Sequence, residues 1–293
     1  MLRRLQSIVL ASGSYKVWTL DAVRHRLDGP GADFFGENAV RTSVPGVLKV
    51  ISMLLVLGVG PSAAAQTVAP GQVPLREPGV HDEMFAPPGQ PRVRYALSIP
   101  KGYSASRPVP LVLALHFGGN PNGAALGLVT VLVGPALADL GAIIVAPETM
   151  DRGWNSAANE RAVTALVDAV QASYRIDTHK VVVTGFSMGG AGTWHFAAMF
   201  PERFSAAIPM AGQPPADIGA WKMPVLAIHS RDDEVVPFGP AEARIKALKA
   251  AGVRAEMIVL TGIKHYETAR FADGLRRAIP WLRDTWKQLE AGR

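Results

Sequence analysis

An α/β fold, with a mostly parallel central sheet flanked by helices and no large lid, is what this sequence predicts, and two patterns carry the prediction. The first is a series of short apolar runs at 109–115 (VPLVLAL), 142–146 (AIIVA), 180–184 (KVVVT), 205–209, 224–228 and 255–260. They are continuous rather than alternating, as expected of strands covered on both faces. The second is the helical pattern between them. Residues 156–174 place Val163, Leu166, Val167 and Val170 at i, i+3, i+4 and i+7, one apolar stripe of a helix. Strands alternating with helices of this length build a parallel sheet through crossover connections.

The other elements follow in order. Residues 66–90 are rich in Pro and Gly and read as an extended segment leading into a single domain over 91–293. Residues 92–100 alternate enough to form an early strand. Helical patterns recur at 188–199, 239–250 and 268–288, with Pro280 expected to bend or divide the last.

Composition narrows the chemistry. The chain has 293 residues, 48% apolar and 18% charged, enough for a substantial core. It has no cysteine, which excludes disulfides, thiolate catalysis and sulfur-ligated metals. Residues 66–293 carry 23 Lys and Arg against 20 Asp and Glu, without basic runs, so no nucleic-acid partner is expected. No H-x-x-x-H or H-E-x-x-H pattern occurs, and neither a metal nor a cofactor is expected. Residues 50–60 (VISMLLVLGVG) are too few to span a bilayer of about 30 Å as a helix. Arg41 and Lys49 precede them and PSAAAQ follows, which reads as a bacterial signal peptide cut after Ala65 and implies a secreted or periplasmic protein. Residues 1–45 then read as an over-extended translation start, or as a real leader. A short buried helix that stays attached is the alternative to a signal.

The sharpest motif is GFSMG at 185–189, which fits the G-x-S-x-G nucleophile elbow. A strand that turns sharply into a helix leaves Ser187 alone above the sheet edge. Gly185 and Gly189 remove side chains that would clash there, and Gly190 lets the new helix approach the sheet. The Met188 N–H, at the helix start, faces charge developing on a carbonyl oxygen. The preceding KVVVT strand and following AGTWHFAAMF helix supply the context the motif requires.

A serine hydroxyl needs a base to become nucleophilic, and the base needs an acid to hold it. In this fold they follow the serine in the order acid, then histidine. Asp232, Asp233 and Glu234 are adjacent candidates after the run at 224–228, and His265 is the only histidine after Glu234. The loop HFGGNPNG at 116–123 stands where a second oxyanion donor originates, with Gly118 or Phe117 as donor and His116 orienting the loop. His229 is expected to brace the acid loop, and His195 to pack or cap. Trp154 and Asn155 border a possible substrate cleft, although Trp154 also suits a core; Trp194 is expected to pack.

HFGG, DRGW (151–154), GFSMGGAGTW (185–194), HSRDDEVVP (229–237) and GIKH (262–265) together resemble the secreted α/β-hydrolase esterases. The nearest groups are the polyhydroxybutyrate-depolymerase-like and feruloyl-esterase-like proteins and the phospholipase/carboxylesterases. The resemblance covers about residues 90–290. It implies Ser187 as nucleophile, Asp233 as acid and His265 as base. The implied reaction is hydrolysis of a carboxylic ester, small or borne on an exposed polymer, through an acyl-enzyme. The family's His-Gly is here His116-Phe117, and its second His-Gly is His229-Ser230. The absence of cysteine argues against polymer degradation. A small serine peptidase and a non-catalytic binding protein of the same fold are the alternatives.

Overall fold

The structure, a computed structural model, describes residues 69, 71–217 and 221–292. The signal-peptide and leader expectations, with the cut after Ala65, fall on residues outside these. Eight strands form one sheet in the order β1-β2-β4-β3-β5-β6-β7-β8. They are β1 (Gly79–Phe85), β2 (Val93–Ile99), β3 (Val109–Leu115), β4 (Ile143–Pro147), β5 (Ile176–Phe186), β6 (Ala206–Met210), β7 (Val225–Ser230) and β8 (Ala255–Leu260). β1 and β2 run antiparallel to their neighbours; every pair from β4 onward across the sheet is parallel. The carboxyl ends of β3, β5, β7 and β8 therefore share one edge, where open α/β sheets gather their ligand-binding loops.

The continuous apolar runs are explained by two cores, one per sheet face. Side chains alternate across a strand, so Leu111, Leu113 and Leu115 of β3 enter one cluster while Val112 and Ala114 enter the other. The first core is closed by α3 (Ala157–Ser173), α4 (Met188–Met199) and α5 (Phe238–Ala250), through Leu166, Phe196 and Ile245 among others. The second is closed by α1 (Ala124–Leu128), a π turn at Val129–Val133, α2 (Gly134–Leu137), α6 (Ala272–Arg276) and α7 (Ala278–Ala291). Burying one such Leu stabilises the fold by about 1.5–3 kcal/mol. No large lid is present among the described residues.

Four details differ from the sequence reading. β1 lies inside the stretch read as merely extended. Residues 124–140 are helical, and the reading placed no element there. β5 is 11 residues long, because a half-exposed polar stretch, Ile176–Lys180, extends it. The last helix breaks at Arg277 rather than Pro280; Pro280 sits in the first turn of α7, where no N–H is required.

Candidate active site

Ser187 follows β5 and opens α4 with φ 59° and ψ −117°, a conformation that L residues rarely adopt. Strain of this kind costs about 1–3 kcal/mol and persists only where the surroundings enforce it. Here the Ser187 N–H donates to Met210 O (2.9 Å) and its carbonyl accepts from the Ala191 N–H (3.0 Å). The glycines permit the turn. A Cβ on Gly185 would lie 2.7 Å from Leu115 O, one on Gly189 2.8 Å from His116 O, and one on Gly190 2.9 Å from the Gly212 Cα. All three obstacles are backbone, which cannot swing aside. Gly189→Ala is therefore expected to lower stability by about 3 kcal/mol, read as a lower midpoint in thermal unfolding; an unchanged midpoint would contradict this packing.

The partners arrive from the next loops. His265 Nε2 is 2.8 Å from Ser187 Oγ, and His265 Nδ1 is 2.8 Å from Asp233 Oδ2. Asp233 is held in turn, its Oδ1 accepting from the N–H groups of Val235 (3.0 Å) and Val236 (2.8 Å). With one oxygen so committed, the other fixes the imidazole with its proton on Nδ1 and leaves Nε2 to face the serine. Phe186 packs against the His265 ring at 5.2 Å between centroids. Asp232 and Glu234 also act here, in a way the sequence did not disclose. Asp232 Oδ2 accepts from the Gly262 N–H (2.6 Å) and Glu234 Oε2 from the His265 N–H (3.2 Å). Three consecutive carboxylates thus grip three points of the histidine loop, and only Asp233 reaches the ring. His229 braces their turn by donating to Val236 O (2.9 Å).

The loop after β3 is anchored by His116, whose Nδ1 donates to Phe117 O (2.6 Å) while Nε2 accepts from the Thr149 N–H (3.1 Å). Gly123 is tied to Glu148 by a further N–H to carboxylate bond. Gly118 faces Met188: a Cβ there would sit 3.8 Å from the Met188 Cβ and Sδ. The Met188 N–H is the first of α4 and has no intrahelical acceptor. Burial holds both His116 and His229 below the ordinary histidine pKa, because desolvation disfavours the charged ring. The unfolded chain then binds more protons than the folded one at acidic pH. Stability is expected to fall as pH drops below about 6.5, the unfolded value, and to stop falling from this cause below the depressed folded values. A Tm that does not decline between neutral and mildly acidic pH in wild type, relative to His229→Gln, would contradict it.

Beside Met188 lies a cleft of about 330 Å³ lined by Trp154, Asn155, Gly192, His195 and Pro214, among others. Trp154 is both floor and core. It is buried, stacks edge-on against His116 at 5.1 Å, and donates from Nε1 to His116 O (3.0 Å). Trp194 packs against Trp221 at 5.3 Å. His195 does more than pack or cap: its Nε2 is 2.7 Å from Glu160 Oε1 at the cleft wall. No cluster of metal-ligating side chains occurs among the described residues.

The dienelactone hydrolase family model matches residues 136–275. A protein of Aspergillus terreus named "Probable feruloyl esterase C" is 31% identical over 184 residues, 60% of this chain and 66% of its own length. A thermostable esterase of known structure superposes with a TM-score of 0.58 at 24% identity, over 70% of this chain and 62% of that one. A fluorophosphonate-binding serine hydrolase of Staphylococcus aureus gives 0.59 at 12% identity, over 70% and 99%. The chain has the α/β-hydrolase fold, and over these spans it is similar to the dienelactone hydrolases and feruloyl esterases. It spans about half to two thirds of the length of the curated relatives it matches. The span matched by the family model contains Ser187, Asp233 and His265, whereas His116 and its loop precede it.

Proposed function

We propose that this α/β-hydrolase cleaves carboxylic esters through an acyl-enzyme formed on Ser187. The observation that carries the reading is the unbroken hydrogen-bonded chain Ser187 Oγ, His265, Asp233, with both links at 2.8 Å. His265 Nε2 takes the hydroxyl proton as Oγ attacks the ester carbon, then gives it to the departing alcohol. Asp233 stabilises the imidazolium that forms in between. The oxyanion is received by the Met188 N–H and a second N–H from the loop after β3, that of Gly118 or, alternatively, of Phe117. Losing one such donor costs about 3 kcal/mol of transition-state stabilisation. Water then enters, is deprotonated by His265, and releases the acid. The strained elbow supports the reading, since strain of this kind is retained where it positions a reacting group. The relative named as a feruloyl esterase and the dienelactone hydrolase match point to ester bonds, with a small-molecule ester as substrate.

The test is the time course of p-nitrophenyl butyrate hydrolysis at high protein concentration. An initial burst of p-nitrophenol stoichiometric with protein, followed by a slower steady rate, is the outcome expected of an accumulating acyl-enzyme. A folded sample that releases no p-nitrophenol above the buffer rate would overturn the proposal in favour of a non-catalytic binding protein.

A further inference from the structure

One buried acid near the catalytic edge of the sheet has no part in the chemistry above. Glu148 follows β4 directly and is 8% exposed. Burying an acid is costly, so its partner matters. Among the described residues its side chain makes one hydrogen bond, in which Oε1 accepts from the Gly123 N–H. Gly123 is the last residue of the loop that follows β3, the loop that supplies the second oxyanion donor.

That loop holds itself together poorly. Three of its eight residues, 116–123, are glycine, with φ 117° at Gly119 and 79° at Gly123. Within it the Asn122 N–H donates to Asn120 Oδ1 (3.1 Å). The N–H groups of Phe117, Gly118 and Gly119 meet no acceptor among the described residues, so none of them fastens the loop. The fastening comes from outside, at both ends, from two consecutive residues. The Thr149 N–H holds the start through His116 Nε2 (3.1 Å), and Glu148 holds the finish through Gly123. Glu148 is itself fixed. Its N–H donates to Arg94 O (2.8 Å), which prolongs the β2–β4 pairing by one residue beyond Tyr95 and Pro147. A side chain on a strand is a more precise support than one on a loop. An oxyanion donor stabilises the transition state only if it is in place before charge develops.

We propose that Glu148 is a positioning residue for ester cleavage. Its carboxyl oxygen, carried on the end of β4, pins Gly123 and so keeps the second oxyanion N–H aimed at the point where charge forms beside the Met188 N–H. The role needs reach and an acceptor oxygen rather than charge. It rests on the esterase reading and adds to it the residue that holds one of its donors in place.

The test uses wild type, Glu148→Gln, Glu148→Asp and Glu148→Ala. Glutamine keeps the length and an acceptor oxygen, whereas aspartate keeps the acid but is one methylene too short. Each protein is assayed for kcat/KM with p-nitrophenyl butyrate and for Ki with propyl trifluoromethyl ketone. Ser187 Oγ adds to the carbon of this ketone, its proton passes to His265, and the former carbonyl oxygen becomes an oxyanion. Ki does not depend on how much of a sample is folded. The expected result is a kcat/KM about 10- to 100-fold lower in the aspartate and alanine variants, with Ki raised by the same factor. Glu148→Gln stays within about threefold of wild type in both, because its side-chain oxygen still accepts from Gly123. The midpoint of the pH dependence of kcat/KM, set by His265, is the same in all four. Should the alanine variant not fold, the aspartate and glutamine variants decide. An unchanged Ki in Glu148→Asp, a glutamine variant as impaired as the aspartate one, or a moved pH midpoint overturns the proposal and leaves the esterase reading intact. Absence of turnover by wild type overturns the esterase reading itself.

Discussion

Replacing Ser187 with alanine is expected to lower kcat for p-nitrophenyl butyrate by about four to six orders of magnitude, to the level given by the oxyanion donors and binding alone. The size of the effect follows from the geometry. Ser187 Oγ is the atom that the His265 Nε2 bond addresses, and none of the neighbouring elbow residues Phe186, Met188 and Gly189 carries a nucleophilic side chain. The turn itself should survive. The 59° φ is enforced by the backbone bonds to Met210 and Ala191, which alanine keeps. Thermal unfolding should therefore shift by only about 1 kcal/mol, the worth of one lost side-chain hydrogen bond. Retention of more than about a tenth of the activity would remove Ser187 from the chemistry, since triad knockouts leave only a trace.

The second large effect separates two neighbouring acids. Asp233→Asn is expected to cost about 10⁴ in kcat, whereas Asp232→Asn should cost less than about tenfold. Asp233 accepts at both oxygens, from two backbone N–H groups on one side and from His265 Nδ1 on the other. An asparagine offers only one acceptor oxygen. If it keeps the backbone bonds, its NH₂ faces Nδ1 and forces the wrong tautomer on the imidazole. Asp232 touches only the backbone of the histidine loop, at Gly262, so its loss loosens the loop without changing the ring's protonation. Steady-state kinetics on the two variants decide the matter, and a larger loss in Asp232→Asn would reverse the assignment.

These two acids also show where the sequence stops being informative. Ser187 is legible because the elbow's steric demand is local: glycines two residues either side are visible in five letters. His265 is legible because chain order leaves one histidine. Asp232 and Asp233 are chemically identical neighbours, and which one meets the ring depends on a turn fixed by bonds to Val235 and Val236. The resemblance to the esterases favoured Asp233, and it is the Asp233 carboxylate that contacts the ring. The Glu160–His195 pair had no local signal at all. The two residues are 35 positions apart, and α3 and α4 must pack on the same sheet face before they meet.

The fold divides in the same way. β3, β4, β6, β7 and the second half of β5 announce themselves because parallel strands covered on both faces are apolar nearly throughout. β1, GVHDEMF, is an edge strand with mostly exposed or half-exposed residues, and its polar composition hides it. Residues 124–140 fail for the opposite reason. They are so uniformly apolar, with Leu128, Val129, Leu132 and Val133 all fully buried, that no polar face marks a helical period. A glycine and a proline at 134–135 further suggest a loop where the chain continues in helical turns.

The most direct test of the central claim is labelling of the intact protein with a fluorophosphonate, followed by mass spectrometry of its peptides. An activated serine is phosphonylated at Oγ, whereas an ordinary serine hydroxyl is a weak nucleophile. A single adduct on Ser187, lost in His265→Ala, is the result predicted here. A folded protein that stays unlabelled, or carries its adduct on another residue, would contradict the account.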